Sequence, residues 1–403
     1  MLDISRVNIK RVNHKTHLFI ISHLNQASKL IITFTAMTIR SLNSLLRISA
    51  LLLILLPAIP RAGACTTAIA SRSATADGSV MLWKHRDSGH PDNIVARIPA
   101  SEGTLAYVGV FNASDRDLQE AWIGVNEAGF AVMNAASYNL APDTAAIKDC
   151  EGLIMSMALA RCRKAADFTA MLDSLIATGA PLGVQANFGV VDNSGAGMYV
   201  EASDHTYTVF PLADEEKGWM VRTNYSYTGD DDTRRGQMRH DAATHLIAEA
   251  TSRNALTHSL LTDTLSRSFY HPTLKRELPN PGERYIPDTG DLIVRRSSCS
   301  STVIVLPADG GTPQMWIAIG NPLLSETRKV TLDAIPRELL PSGPAHRSTL
   351  CDEANARAAK VWNSRDSRGT WLIDTDAYRR LSARADITRR SRSAHAQSRQ
   401  QKR

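Results

Sequence analysis

Apolar residues recur along this chain at two different intervals. In 66–70 and 80–85 they crowd into short runs rich in β-branched and aromatic side chains, separated by Asp77-Gly78. An Asp-Gly step between two such runs predicts a β-hairpin, and its return strand brings 84–87 back beside residue 65. A second hairpin is predicted from 121–125 and 130–137 around the turn Asn126-Glu127-Ala128-Gly129. Its outgoing strand ends in small and polar residues, Asn134 and Ser137 among them, which lets another group approach the backbone. Over 151–166 the interval changes. Leu153, Ile154, Met157, Ala158, Ala160 and Ala165 fall at helical spacing, and Asp167 is placed to cap a second helix over 168–176. Strands resume at 186–192, 197–202, 206–210 and 219–225. Residues 234–250 and 254–269 predict two more helices, 272–287 a proline-rich loop, and 302–306 and 314–319 two further strands. Recurrent hairpin turns without a glycine-rich phosphate loop predict an α+β fold of mainly antiparallel sheets flanked by helices, not a doubly wound parallel sheet.

The segment before residue 65 has a different character. From Met37 it shows a basic flank, an apolar core over 48–56, prolines at 57 and 60, and the triplet Ala62-Gly63-Ala64. That is the plan of a secretory signal peptide cut after Ala64, and its core is too short for the roughly twenty apolar residues of a membrane span. An exported protein, periplasmic or extracellular, is expected, with 1–36 upstream of the more plausible start. The predicted organisation is 1–64 as upstream extension and signal peptide, 65–345 as the folded domain, and 346–403 as a polar extension. The Arg-, Ser- and Gln-rich tail of that extension, from about 379, is expected to be disordered. The formal charge of +6 misleads: residues 1–64 carry 8 basic and 1 acidic side chains and 379–403 carry 9 and 1, leaving 29 basic and 38 acidic in 65–378, net −9. A nucleic-acid partner is not expected of an acidic fold.

Cleavage after Ala64 gives Cys65 a free α-amino group. An α-amine titrates near 7.7–8.0 and a thiol near 8.5, so the amine can serve as base for the thiol of the same residue. Two other readings of a cysteine at this place are a lipid-attachment site, disfavoured by Ala62 where a larger aliphatic is expected, and half of a disulfide. The remaining cysteines, Cys150, Cys162, Cys299 and Cys351, are even in number, and pairings such as Cys150 with Cys162 stay open. With no C-x-x-C and no His-Cys cluster, neither zinc nor a cofactor is expected. Asn126 reads as a turn residue, and the Met and Leu stripe of 151–166 as core. His85 and His245 read as non-catalytic, because an amine base needs no imidazole.

Three stretches taken together carry a resemblance: Cys65-Thr66-Thr67 with Lys84-His85-Arg86-Asp87; Gly124-Val125-Asn126-Glu127-Ala128-Gly129-Phe130-Ala131-Val132-Met133-Asn134; and Arg222-Thr223-Asn224-Tyr225. The chain resembles, over about 65–306, the N-terminal-nucleophile (Ntn) cysteine hydrolases, in the branch of choloylglycine hydrolase, penicillin V acylase and the isopenicillin N acyltransferase-like amidases. The resemblance implies a four-layer α-β-β-α sandwich. It implies Cys65 as nucleophile, Asp87 as the carboxylate holding the α-amine, and Lys84 where choloylglycine hydrolases carry an arginine, so that a point charge replaces a bidentate fork. Asn134, through its backbone N–H, and Asn224, through its side-chain amide, fall on the oxyanion-hole positions. Arg235 stands for an arginine after the second asparagine, with Arg239 as the alternative. The expected activity is hydrolysis of a linear amide bond in a small N-acyl compound through a thioester on Cys65. The alternatives are acyl transfer to another amine, or a dipeptidase. A lipid-anchored or secreted binding protein is the reading from a different class. A small-molecule amide is the expected partner, without stable membrane insertion after cleavage; substrate identity and oligomeric state stay open.

Overall fold

The computed structural model describes residues 64–140, 149–230 and 234–383. The signal-peptide pattern and the basic tail beyond 383 thus lie outside the described residues. The first hairpin forms as expected, β1 (Thr66–Ala70) against β2 (Val80–Asp87), its turn closed by Gly78 at φ +69°. Next come β3 (Asn93–Ile98), β4 (Tyr107–Asn112), β5 (Ile123–Asn126) and β6 (Ala131–Ala136), then helices α1 (Glu151–Arg161) and α2 (Ala165–Ile176). Strands β7 (Ala186–Val191), β8 (Gly197–Ala202), β9 (Tyr207–Pro211) and β10 (Trp219–Arg222) lead to α3 (Gln237–Ser252). The chain goes on through the short pair β11 (Tyr270–His271) and β12 (Arg276–Glu277), and then β13 (Tyr285–Pro287). After these come β14 (Ser298–Leu306), β15 (Gln314–Ile319), β16 (Thr327–Val330), α4 (Thr349–Ala358), β17 (Ser364–Arg365) and β18 (Trp371–Asp374).

Two antiparallel sheets dominate. One is six-stranded in the order β10-β1-β2-β14-β15-β16, and the other is a seven-stranded meander from β3 to β9. Three apolar layers hold four structural layers together. Ile154, Met155, Leu159 and Phe168 of α1 and α2 pack on Phe111, Phe130 and Phe188 of the meander. Ile69, Leu82, Ile304 and Ile317 of the six-stranded sheet meet Val108, Val125, Met133 and Tyr199 of the meander. Ala242, Ala243 and Ile247 of α3 cover Ala68, Met81, Trp83 and Val303 on the outer face. These are the layers of an α-β-β-α sandwich. Each fully buried aliphatic or aromatic side chain contributes about 1.5–3 kcal/mol, so the middle layer alone is a major source of stability.

Alternation along β2 decides what the site contains. Val80 and Leu82 enter the layer between the sheets, whereas Met81 and Trp83 face α3. The same two-residue period, carried on, sends Lys84 and Arg86 between the sheets and His85 and Asp87 to the other face.

Some elements differ from expectation. The helix expected over 151–166 stops at Arg161, and Asp167 is the third residue of α2, its carboxylate accepting from the backbone N–H groups of Arg163 and Lys164. The helix expected over 254–269 is a π-turn over Leu260–Thr264 followed by a 3-10 turn over Leu265–Arg267. The stretch after 345 is not merely polar. Leu350 and Cys351 of α4 enter the layer between the sheets, and Val361, Trp362 and Ile373 close a fourth cluster with Leu292 and Leu323. All described residues fall in one compact unit, Ala62–Arg403.

Candidate active site

The two neighbours of β1 converge on residue 65. Pairing of Thr66 with His85 and Thr67 with Lys84, continued toward the N-terminus, sets Cys65 opposite Arg86 and Ala64 opposite Asp87. On the other side Thr67 pairs with Arg222, and the same register carried on sets Asn224 beside Cys65. Ile69 lies between the sheets and Ala68 and Ala70 face α3, so alternation aims the Cys65 side chain between the sheets, on the face of Lys84. Cys65 is 6% exposed.

Lys84 closes one side of the pocket. Pairing of β5 with β6 ends at Ile123 and Met133, and Asn134 projects past it. The Lys84 ammonium fills that gap, donating to the Trp122 carbonyl at 2.7 Å and to Asn134 Oδ1 at 2.6 Å. Burial pulls the ammonium down from its ordinary 10.5 to about 8, opposed by the nearby Cys65 thiol, which favours the charged form. Arg86 lies on the Trp122 ring, 4.8 Å from its centroid, and bonds Asn93 and Asn112.

Asn224 closes the other side and is fixed from several directions. Its Nδ2 donates to the Ala136 carbonyl at 2.8 Å, its Oδ1 accepts from Arg239 Nη2 at 2.8 Å, and its carbonyl accepts from the Tyr138 N–H. Asn187 of β7 donates to the carbonyls of both Thr223 and Tyr225 at 3.0 Å, so the meander holds the segment that carries Asn224. Arg239 also donates through Nη1 to the Cys65 carbonyl at 2.6 Å and to Thr66 Oγ1 at 3.0 Å. Burial lowers its guanidinium to about 10, with Arg295 pushing the same way.

Arg235 does not take this place: it is exposed, against the Tyr138 ring at 5.1 Å, and Arg239 is the arginine that reaches Cys65 and Asn224. The reason is local. Gly236, at φ +88°, turns the chain just before α3, so Arg235 precedes the helix while Arg239 sits in its first turn facing β1. A Cβ at residue 236 would lie 2.4 Å from Arg239 Nη2.

Asp87, expected to hold the α-amine, is held in the continuous chain by other groups. Arg295 Nη2 donates to its Oδ2 and also to the Ala64 carbonyl, and Ser298 Oγ donates to its Oδ1 at 2.5 Å. Ser298 Oγ lies 2.8 Å from His85 Nε2. Burial depresses His85 to about 4, against the pull of Asp87, which keeps the ring neutral at neutral pH. His245 stacks on Tyr270, ring centroids 4.6 Å apart. Asn126 is the turn residue expected: its Oδ1 accepts from the N–H groups of Ala128 and Phe130 and its Nδ2 donates to the carbonyls of Leu159 and Cys162. Cys162, Cys299 and Cys351 are buried thiols outside any disulfide, so the Cys150–Cys162 pairing left open by the sequence is not made.

Three groups at the site were not singled out from the sequence: Arg295, Ser298 and Asn187. Asn187 had a signal, since an asparagine inside the apolar run Ala186-Asn187-Phe188-Gly189-Val190-Val191 must find partners when buried. Arg295 and Ser298 had none, lying more than 200 residues from Asp87.

No family model matches the chain, and no curated protein matches it. Among solved structures it is similar to the N-acylethanolamine-hydrolysing acid amidase ortholog of Caenorhabditis elegans, at 14% identity and TM-score 0.36, covering 60% of this chain and 92% of that one. It is similar to a mutant of the conjugated bile acid hydrolase from Clostridium perfringens, at 12% identity and TM-score 0.40, covering 68% and 95%. It is also similar to the penicillin V acylase from Agrobacterium tumefaciens, at 12% and 0.37, covering 67% and 87%. At these values the functional reading rests on the residues and their geometry.

Proposed function

We propose that the mature protein starts at Cys65 and is an exported Ntn-type cysteine amidohydrolase acting on a linear amide of a small N-acyl compound. One observation carries the reading: buried Cys65 sits between Lys84 with Asn134 on one side and Asn224 with Arg239 on the other, at the point where β2 and β10 both meet β1. In the proposed reaction the Cys65 α-amine takes the thiol proton, and Sγ attacks the amide carbonyl carbon. The Asn134 backbone N–H and the Asn224 side-chain amide receive the developing oxyanion, a well-placed donor of this kind being worth about 3–4 kcal/mol. Collapse breaks the C–N bond, the α-ammonium returns its proton to the leaving amine, and a thioester remains on Cys65. Water then attacks the thioester carbonyl, releasing the acid and restoring the thiol. The Arg239 bonds to the Cys65 carbonyl and to Asn224 Oδ1 orient nucleophile and oxyanion donor as one unit. Lys84 supplies positive charge beside the thiolate.

Burial of Cys65 supports this reading over lipid attachment, because a thiol carrying a lipid chain that reaches a membrane would have to leave the space between the sheets. Among the described residues no helix is long and apolar enough to cross a membrane. The test is a panel of N-acyl amides, with and without an acceptor amine, on the mature protein and on Cys65→Ala. The expected outcome is hydrolysis that falls at least about a thousandfold in Cys65→Ala. Acyl product appearing on the acceptor amine assigns the acyltransferase alternative. An unchanged rate in Cys65→Ala contradicts the nucleophile.

A further inference from the structure

Arg295 stands where the proposed chemistry is most sensitive to charge. It lies on the turn before β14, 8% exposed. Its backbone is pinned at both ends: the N–H donates to Ser298 Oγ at 2.9 Å, and the carbonyl accepts from Asn321 Nδ2 at 2.9 Å. Its guanidinium reaches the Gly290 carbonyl through Nη1, and through Nη2 both Asp87 Oδ2 and the Ala64 carbonyl. The oxygen and nitrogen of one peptide unit are about 2.3 Å apart. Since Nη2 bonds the Ala64 oxygen at 2.5 Å, it lies within about 5 Å of the Cys65 nitrogen. Cleavage before Cys65 makes that nitrogen the α-amine and removes the carbonyl that Arg295 held.

Asp87 by itself would hold the α-amine in its protonated form, which cannot accept the thiol proton. We infer that Arg295 is a positioning residue that occupies Asp87 and, by its own charge, keeps the Cys65 α-amine as the free base. Each oxygen of Asp87 already accepts a hydrogen bond, Oδ2 from Arg295 and Oδ1 from Ser298, so the carboxylate is fixed before the amine exists. Although burial opposes its charge, Arg295 beside Asp87 is held above its ordinary range, so it stays cationic throughout the working pH range. The other charged or titratable groups around this point are Lys84, His85 and Arg86 on β2, Arg239 on α3, Asp288 ahead of β14, Cys299 on β14 and Tyr138 after β6. His85 is neutral above about pH 4. Arg86 and Arg239 add positive charge in the same sense as Arg295, and Lys84, lowered to about 8, adds it below that pH, so its own titration is common to the wild type and the Arg295 variants. A unit charge about 5 Å from the amine is enough to displace its titration by one to two pH units.

This inference rests on Cys65 as the mature terminus, and the experiment separates the two. The amine is titrated directly by 15N NMR on mature protein labelled at cysteine, alongside the pH profile of kcat/KM. In Arg295→Gln the amine titration and the acid limb of kcat/KM move up together by about one to two pH units, with much of the plateau regained at high pH. Arg295→Lys keeps the wild-type limb. Asp87→Asn, which leaves Arg295 unopposed, moves the amine titration down and gives a reading even if Arg295→Gln fails to fold. Titrations that stay put in Arg295→Gln and Asp87→Asn, with only a lowered plateau, overturn the inference and leave Arg295 a structural residue. A wild-type protein without an amine resonance from Cys65 overturns the reading of Cys65 itself.

Discussion

Arg239 and Arg235 are four residues apart and chemically identical, yet only one touches the site. Arg239→Ala removes the clamp between the Cys65 carbonyl and Asn224 Oδ1 and is expected to lower kcat/KM about a hundredfold or more, whereas Arg235→Ala leaves it within a few-fold. Steady-state kinetics on the two variants decides; equal losses would contradict the assignment. His85 makes a different prediction, about stability. Its folded-state value of about 4 lies below the ordinary 6.5. Between those values the unfolded chain binds a proton that the folded one does not, so stability falls as pH drops from 6.5 toward 4 and levels off below. The contribution over that window is about 3 kcal/mol. In His85→Gln the loss of urea stability between pH 7 and pH 4.5 should shrink by about that amount. The sequence showed that Lys84 and Asp87 belong to one strand near Cys65. It could not show which groups would meet them, since Ser298 arrives at the start of β14 and Arg295 on the turn before it, both distant in sequence.

At the level of elements, the buried pair Arg222 and Glu201 ties the two sheets together just below the site. Arg222 Nε lies 3.0 Å from Glu201 Oε1, and Glu201 also accepts from the N–H groups of Tyr227 and Thr228 and from Thr228 Oγ1. Removing one partner of a buried pair strands the other charge, at a cost of about 3–5 kcal/mol. Glu201→Ala should lose about that much in urea denaturation and, because 223–228 carries Asn224, lose activity as well. Gly124 makes a packing prediction: a Cβ there would meet Leu159 Cδ1 at 2.6 Å and the Val108 carbonyl at 2.8 Å. Gly124→Ala should cost about 1–3 kcal/mol by forcing α1 off the meander. Elements that follow a clear period were legible: both first hairpins, the helical pair and the recurrent strands. The stretch 254–269 was not, because its apolar positions fit a helix while the chain there makes only short turns over the outer face of the six-stranded sheet. Nor could sequence spacing settle where α3 begins, and that start alone separates Arg235 from Arg239.

For the whole molecule, the four layers do one thing for the site: they hold residue 65 between two sheets, where β1 is flanked by β2 and by β10, a strand distant in sequence. The net −9 of 65–378 and the buried cations Lys84, Arg86, Arg239 and Arg295 around Cys65 make the interior of the site opposite in sign to the fold as a whole. Antiparallel sheets flanked by helices were legible because hairpin turns and helical stretches alternate along the sequence, whereas the order of the four layers came from the resemblance carried by three short stretches. The packing of α4 and β18 onto the body was not, since 346–378 is polar on average and its few large apolar residues, Leu350, Trp362 and Ile373, show no period.

The decisive measurement is mass spectrometry of the protein recovered from expressing cells, after brief exposure to an activated N-acyl substrate. A chain that starts at Cys65 and carries one acyl group on its first residue, absent in Cys65→Ala, is the expected result. A terminus elsewhere, or an acyl group on another residue, would contradict Cys65 as the nucleophile on which every other assignment depends.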